Sequence, residues 1–185
     1  MSNPNAHLDF DLDTLGGLPL PRHIVFSIGS NLGDRLEYLQ GAVDALRATP
    51  QLTVTGVSAV YETSPVGPVT DQPDFLNIVV TADSTLASLV LLERAQAIEN
   101  AFRRVREIPG GPRTLDVDLI AVGERIKNTV PLTLPHPRAG ERAFVLVPWH
   151  DVEPDAALPG GGPIAELIAG LDVGVVRRRA DLVIE

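Results

Sequence analysis

The chain has 185 residues, a formal net charge of −9, 44% hydrophobic residues and no cysteine. This length suits one domain with a substantial core, and the lack of cysteine excludes disulfide frameworks, thiolate catalysis and thiolate metal sites. The negative balance opposes nonspecific binding of nucleic acid, and no apolar run is long enough to suggest a membrane span.

Met1 to Pro21 carries Asp9, Asp11 and Asp13 where a secretory signal would have a basic start and an apolar centre. It reads as an acidic, poorly ordered tail before a single domain at 22–185, in a protein expected in the cytoplasm. His23 to Gly29 predicts a strand running into a Gly-flanked turn that ends at Asp34. Leu36, Leu39, Ala42, Val43 and Leu46 keep helical spacing, with Asp34 as N-cap and Pro50 beyond the end. Leu52 to Thr63, rich in Val and Thr, predicts a second strand, and the prolines of Ser64 to Pro73 predict an exposed loop. Phe75 to Thr81 predicts a third strand. Ser84 is placed to cap a helix over about Leu86 to Phe102. Arg103 to Gly111 reads as a basic loop and Thr114 to Val122 as the fourth strand.

This order predicts an α+β, ferredoxin-like βαββαβ core, an antiparallel sheet with both helices on one face. A C-terminal extension follows: a loop at Pro131 to Arg142, a short apolar element at Phe144 to His150, and a short helix at Ile164 to Ala169.

Chemistry concentrates near the fourth strand. Asp116 and Asp118 are two apart, so a strand sends both side chains to one face. They interrupt an apolar run, where an uncompensated charge costs several kcal/mol. Mg²⁺ is usually held by one or two carboxylates together with substrate phosphates, so such a pair suffices if a nucleotide supplies the remaining oxygens. Arg104, Arg106 and Arg113 lie close by to neutralise phosphate. A structural ion pair with Arg113 is the competing reading. The only lysine, Lys127, follows no Gly-rich segment, which eliminates a Walker-A phosphate loop.

Further motifs occur in a fixed order: Ile28-Gly-Ser-Asn-Leu-Gly33, Tyr61-Glu-Thr-Ser-Pro-Val-Gly-Pro68, Asp71-Gln-Pro-Asp-Phe-Leu-Asn77, Gln96-Ala-Ile-Glu99, Arg104-Val-Arg106, Gly111-Pro-Arg-Thr-Leu-Asp-Val-Asp118 and Pro135-His136. In this combination, from about His23 to at least Trp149, the chain resembles the 6-hydroxymethyl-7,8-dihydropterin pyrophosphokinase family of folate biosynthesis. The resemblance implies transfer of diphosphate from ATP to the pterin hydroxymethyl group, leaving AMP, with two Mg²⁺ ions on Asp116 and Asp118. It implies catalytic roles for Arg104 and Arg113 beside the two aspartates, and nucleotide contacts from Gln96, Arg106, Arg113, His136 and Arg142. For the pterin it implies Phe75 and Phe144 as stacking rings, Asn77 as edge reader, backbone near Thr63 and Val66, and Glu99. The partners implied are ATP and hydroxymethyldihydropterin, with no nucleic acid and no membrane; contact with the next folate-pathway enzyme is left open.

Taken singly, the phenylalanines fit core packing, Gln96 and Glu99 fit a helix surface, and His136 fits a rigid loop between prolines. Asn77 is more diagnostic, because an amide inside an apolar strand needs partners. Gly110 stands where some relatives carry tryptophan, and Pro137 where some carry tyrosine. A ligand-sensing ferredoxin-like domain has no need of the aspartate pair. An RNA-recognition module needs exposed strand aromatics and a basic chain, and a metal-dependent phosphodiesterase leaves Asn77 and the phenylalanines unexplained.

Overall fold

The structure, a computed structural model, describes residues 20–65, 69, 71–102 and 111–185. Its centre is strand β1 (Arg22–Ser30), buried from Ile24 onward. A near-continuous apolar run of this kind belongs to a strand covered on both faces. Ile24, Phe26 and Ile28 face one apolar cluster, and Val25 faces another.

Helix α1 (Arg35–Arg47) begins where Asp34 accepts a hydrogen bond from the Glu37 backbone N–H at 3.0 Å, as expected. It buries Leu39, Ala42, Val43 and Leu46 at helical spacing. Strands β2 (Leu52–Val57) and β3 (Tyr61–Thr63) replace the single strand expected over Leu52 to Thr63. Both pair antiparallel with β4 (Phe75–Ser84), Val57 opposite Val80 and Tyr61 opposite Asn77. Four steps along one side thus oppose three along the other, so one extra residue interrupts the ladder and re-aims the strand beyond it.

Helix α2 (Ser88–Ala101) starts later than expected, with Ala87 as its N-cap. Ser84 does not cap it: its hydroxyl donates to the Gln51 carbonyl at 2.7 Å and accepts from the Leu86 N–H at 3.1 Å. Strand β5 (Asp116–Val122) pairs antiparallel with β1. With β4 on the other side of β1, and α1 and α2 packed over the cluster of Ile24, Phe26 and Ile28, the core is the expected ferredoxin-like βαββαβ arrangement.

Beyond the core, the region expected as a loop contains β7 (Thr133–Leu134), paired with β6 (Lys127–Asn128), and a 3-10 turn at Ala139–Glu141. The apolar element after it is helix α3 (Ala143–Val152), which includes Pro148. It covers the sheet face opposite α1 and α2, burying Val145, Leu146 and Trp149 against Val25, Val79 and Ile120. Strands β8 (Ala157–Leu158) and β9 (Gly162–Pro163), helix α4 (Ile164–Ala169) and strand β10 (Val176–Arg178) complete the chain. The main sheet runs β10-β3-β4-β1-β5, with β2 also on β4. Among the described residues no helix is long and apolar enough to cross a membrane. The expected tail lies outside the description apart from its last two residues.

Candidate active site

Directly opposed residues in an antiparallel ladder share a face. The registers place Tyr61 opposite Asn77, Asn77 opposite Gly29, and Gly29 opposite Asp116; Thr63 stands opposite Phe75, and Ser27 opposite Asp118. All of them therefore point to the face that α3 covers farther along. Beside the first turn of α3, this face opens into a pocket whose wall includes Thr63, Phe75, Asn77, Asp116, Asp118 and Phe144. The two expected metal ligands and four of the expected pterin residues are thus brought together.

The pocket floor depends on one glycine. A Cβ on Gly29 would lie 2.8 Å from Asn77 Oδ1, closer than real contacts allow, so only glycine leaves the amide its position. Asn77 is buried, and its Nδ2 donates to Thr63 Oγ1 at 2.7 Å. The amide plane is fixed in this way while its carbonyl oxygen faces Gly29.

Each aspartate is held by an arginine that also lies over an aromatic ring. Arg113 Nη2 is 3.1 Å from Asp116 Oδ2, and its guanidinium is 5.3 Å from the centre of the Phe75 ring. Arg142 Nη1 is 3.2 Å from Asp118 Oδ2, and its guanidinium is 5.5 Å from the centre of the Phe144 ring. The structural pairing of Asp116 with Arg113 therefore exists alongside the shared acidic face. Burial first, and the Asp116 charge second, raise the Asp118 carboxyl above its ordinary range despite His136 and nearby arginines. His136 is fixed by its backbone N–H, which donates to the Ile120 carbonyl at 2.8 Å, and burial lowers its imidazole below the usual value against the pull of Asp118.

Among the described residues no three His, Cys, Asp or Glu side chains gather closely enough to hold a metal. The aspartate pair nevertheless fits Mg²⁺, since its donors are all oxygen and a phosphate-rich ligand supplies the rest of the shell. Burial is the first cause of the raised Asp118 carboxyl and the Asp116 charge the second, and a cation would offset the second.

Other expected site residues lie elsewhere. Gln96 is exposed on α2. Glu99 is buried on the helix side of the sheet, where its Oε1 accepts from the Val117 backbone N–H at 2.8 Å. This bond grips β5 between the two aspartates, and Glu99 does not line the pocket described above. Arg104, Arg106 and Val66 fall outside the described residues.

Asn31 received no role from the sequence, although it sits inside the motif Ile28-Gly-Ser-Asn-Leu-Gly33. Its Oδ1 accepts from the Arg113 N–H at 2.8 Å, and its Nδ2 donates to Gln72 Oε1 at 2.9 Å and to the Pro73 carbonyl at 3.0 Å. One buried amide therefore fastens the segment before Phe75 to the segment before Asp116. The available signal was an amide immediately after a largely apolar strand.

Residues 25–154 match the family described as 7,8-dihydro-6-hydroxymethylpterin-pyrophosphokinase, HPPK. A 2-amino-4-hydroxy-6-hydroxymethyldihydropteridine pyrophosphokinase of Pseudomonas aeruginosa is 42% identical over 148 residues, covering 80% of this chain and 91% of that protein. The protein of the same name from Methylorubrum extorquens is 44% identical over 151 residues, 82% of this chain and 94% of that one. In three dimensions the chain is similar to a Plasmodium falciparum HPPK-DHPS triple mutant with SDX-DHP, at TM-score 0.64 and 16% identity. That alignment covers 86% of this chain and 46% of the other, so the present chain spans under half of that longer protein, and the likeness is one of fold. Identity at this level over four fifths of the chain, joined to the match through 25–154, makes the chain a member of the 7,8-dihydro-6-hydroxymethylpterin-pyrophosphokinase family.

Proposed function

We propose that this pocket carries out the family's reaction, transfer of diphosphate from ATP to the hydroxymethyl group of 6-hydroxymethyl-7,8-dihydropterin in folate biosynthesis, with Asp116 and Asp118 holding two Mg²⁺ ions. One observation carries the assignment of roles: the acidic pair and the slot bounded by Phe75, Phe144, Asn77 and Thr63 share one sheet face and one pocket.

The heterocycle lies between Phe75 and Phe144, which offer apolar faces to a flat ring. Asn77, held by Thr63, reads its edge with the amide oxygen, and backbone near Val66 completes that edge. Ions held by Asp116 and Asp118 would offset the triphosphate charge and make the attacking hydroxyl more acidic. Arg113 and Arg142, already placed against the aspartates, turn their remaining donors to phosphate oxygens; a planar fork suits that contact better than a point charge. Arg104 and Arg106, from the segment expected as a basic loop, are assigned to the same grip, with Gln96 and the ring of His136 on the nucleotide. Glu99 we assign to holding β5 in place of direct contact with the pterin, since its carboxylate is engaged by Val117.

Cytoplasmic residence and contact with the next folate-pathway enzyme belong to the same reading; the HPPK-DHPS chains that share this fold support the latter. The test is AMP release from ATP in the presence of Mg²⁺, with and without hydroxymethyldihydropterin. AMP formed only when both substrates are present is the expected outcome. AMP formed equally without the pterin makes the protein a hydrolase, and ADP as product assigns a different transfer.

A further inference from the structure

The C-terminal segment lies beyond the family match, which ends at residue 154, yet it is tied to the pterin slot. Strand β10 forms the outer edge of the sheet beside β3, with Val176 opposite Thr63 and Arg178 opposite Tyr61, and the Arg179 N–H donates to the Val60 carbonyl at 2.8 Å. Strand β3 has only three residues, and a strand that short frays readily at a sheet edge. The pairing removes it from that edge.

Alternation along β3 turns Glu62 away from the slot and toward α1. There Arg35 Nη1 lies 3.0 Å from Glu62 Oε1, Arg179 Nη1 lies 2.9 Å from Oε2, and Arg177 Nη2 lies 3.4 Å from Oε2. Arg35 also donates to the Asp74 carbonyl at 2.7 Å, one residue before Phe75. The cluster therefore spans both strands that carry slot residues. Arg179 is itself oriented by Asp181 through two bonds of 2.9 and 2.7 Å. Beyond it Leu182 and Ile184 pack against the core, and the Glu185 N–H donates to Gln40 Oε1 on α1 at 2.8 Å. A cavity of about 230 Å³, walled by Thr63, Phe144, Leu171, Val175 and Val176, adjoins the slot beside the start of the strap.

We propose that β10 and residues 179–185 form a strap that positions the pterin slot, with Glu62 as the positioning residue through which Arg35, Arg177 and Arg179 keep Thr63 against Asn77. This inference rests on the slot being the pterin site. If β3 shifts outward, Thr63 Oγ1 leaves Asn77 and the slot opens into the adjoining cavity. Asp116 and Asp118, on the far side of β1, keep their places. The effect is selective, unlike that of a strap that only adds stability.

The experiment measures binding of hydroxymethyldihydropterin, in the presence of a nonhydrolysable ATP analogue and Mg²⁺, and binding of the analogue alone. Arg179→Ala and Glu62→Gln are expected to weaken the pterin about tenfold while changing the analogue by less than about twofold. Arg177→Ala, an exposed position that leaves the core intact, carries the same selective loss at about threefold even if the other two variants prove unstable. Unchanged pterin affinity in any folded variant, or equal weakening of both ligands, overturns the strap. Absence of pterin binding in the unaltered chain removes the slot assignment instead.

Discussion

Nη1 of Arg142 stands 3.2 Å from Oδ2 of Asp118. The protein thus neutralises one expected metal ligand with its own side chain, and an incoming cation must share that carboxylate or displace the guanidinium. Arg142→Ala is expected to strengthen binding of free Mn²⁺ by about threefold to tenfold and to weaken binding of an ATP analogue by about tenfold or more. Calorimetry with each ligand separately reads both values. If Mn²⁺ affinity falls together with nucleotide affinity, the arginine supports the cation site and does not compete for it.

Asp118→Asn keeps the side-chain shape and removes a negative charge that burial and Asp116 already disfavour. Turnover is expected to drop at least about a hundredfold, while the melting temperature without nucleotide changes by no more than a few degrees. AMP release and a thermal melt on one preparation check this. A folded variant that keeps a third of the original rate removes Asp118 from the metal site.

Gly29→Ala places a methyl group where Asn77 Oδ1 lies 2.8 Å away and the Phe75 ring 3.7 Å away. The amide must rotate, breaking its bond to Thr63. Pterin affinity is expected to fall about tenfold with ATP-analogue affinity preserved, and stability to drop by about 1–3 kcal/mol as a buried amide loses its partner. Paired titrations and a urea melt separate the two effects. Equal losses for both ligands show that the glycine serves the whole sheet and not the slot.

Burial pulls the Glu62 carboxyl upward, but hydrogen bonds from Arg35 and Arg179 outweigh it and hold the group below its ordinary value of 4.5. Asp181 is lowered to about 2, chiefly by Arg179. A carboxyl depressed in the folded state contributes stability above its unfolded value, and that contribution disappears as pH falls through the folded one. The melting temperature of the unaltered chain should therefore exceed that of Glu62→Gln at neutral pH, with the gap narrowing below about pH 4.5. Melts from pH 7 down to 2 track this directly. A gap that stays constant with pH shows that Glu62 acts through packing and not charge.

The site was legible in sequence where its logic is local. The spacing of Asp116 and Asp118 put both on one face, and a lone amide in an apolar strand singled out Asn77. What escaped depends on residues far apart. The Arg35–Glu62–Arg179 cluster joins three distant segments, and Asn31 bonds partners 41 and 82 positions away. Leu52 to Thr63 is rich in Val and Thr at both ends, so it reads as one strand, although the ladder shifts at Gly56 and residues 58–60 interrupt it. Ser84 has the right chemistry for a cap, but Gln51 and Leu86 engage its hydroxyl first. Glu99 reads as a surface residue until β5 is laid beside α2.

Asn77, Gly29 and Asp116 occupy one line across three adjoining strands. Strands in a sheet lie about 4.8 Å apart, so roughly 10 Å separate the backbone of Asn77, the proposed edge reader, from that of Asp116, the proposed metal ligand. That interval is a ruler built from hydrogen-bonded peptide groups. Side-chain motion around the site can alter how quickly the two reactants meet, but it cannot stretch the ruler, so under the proposed roles an acceptable alcohol has to bridge that interval less the reach of the Asn77 and Asp116 side chains.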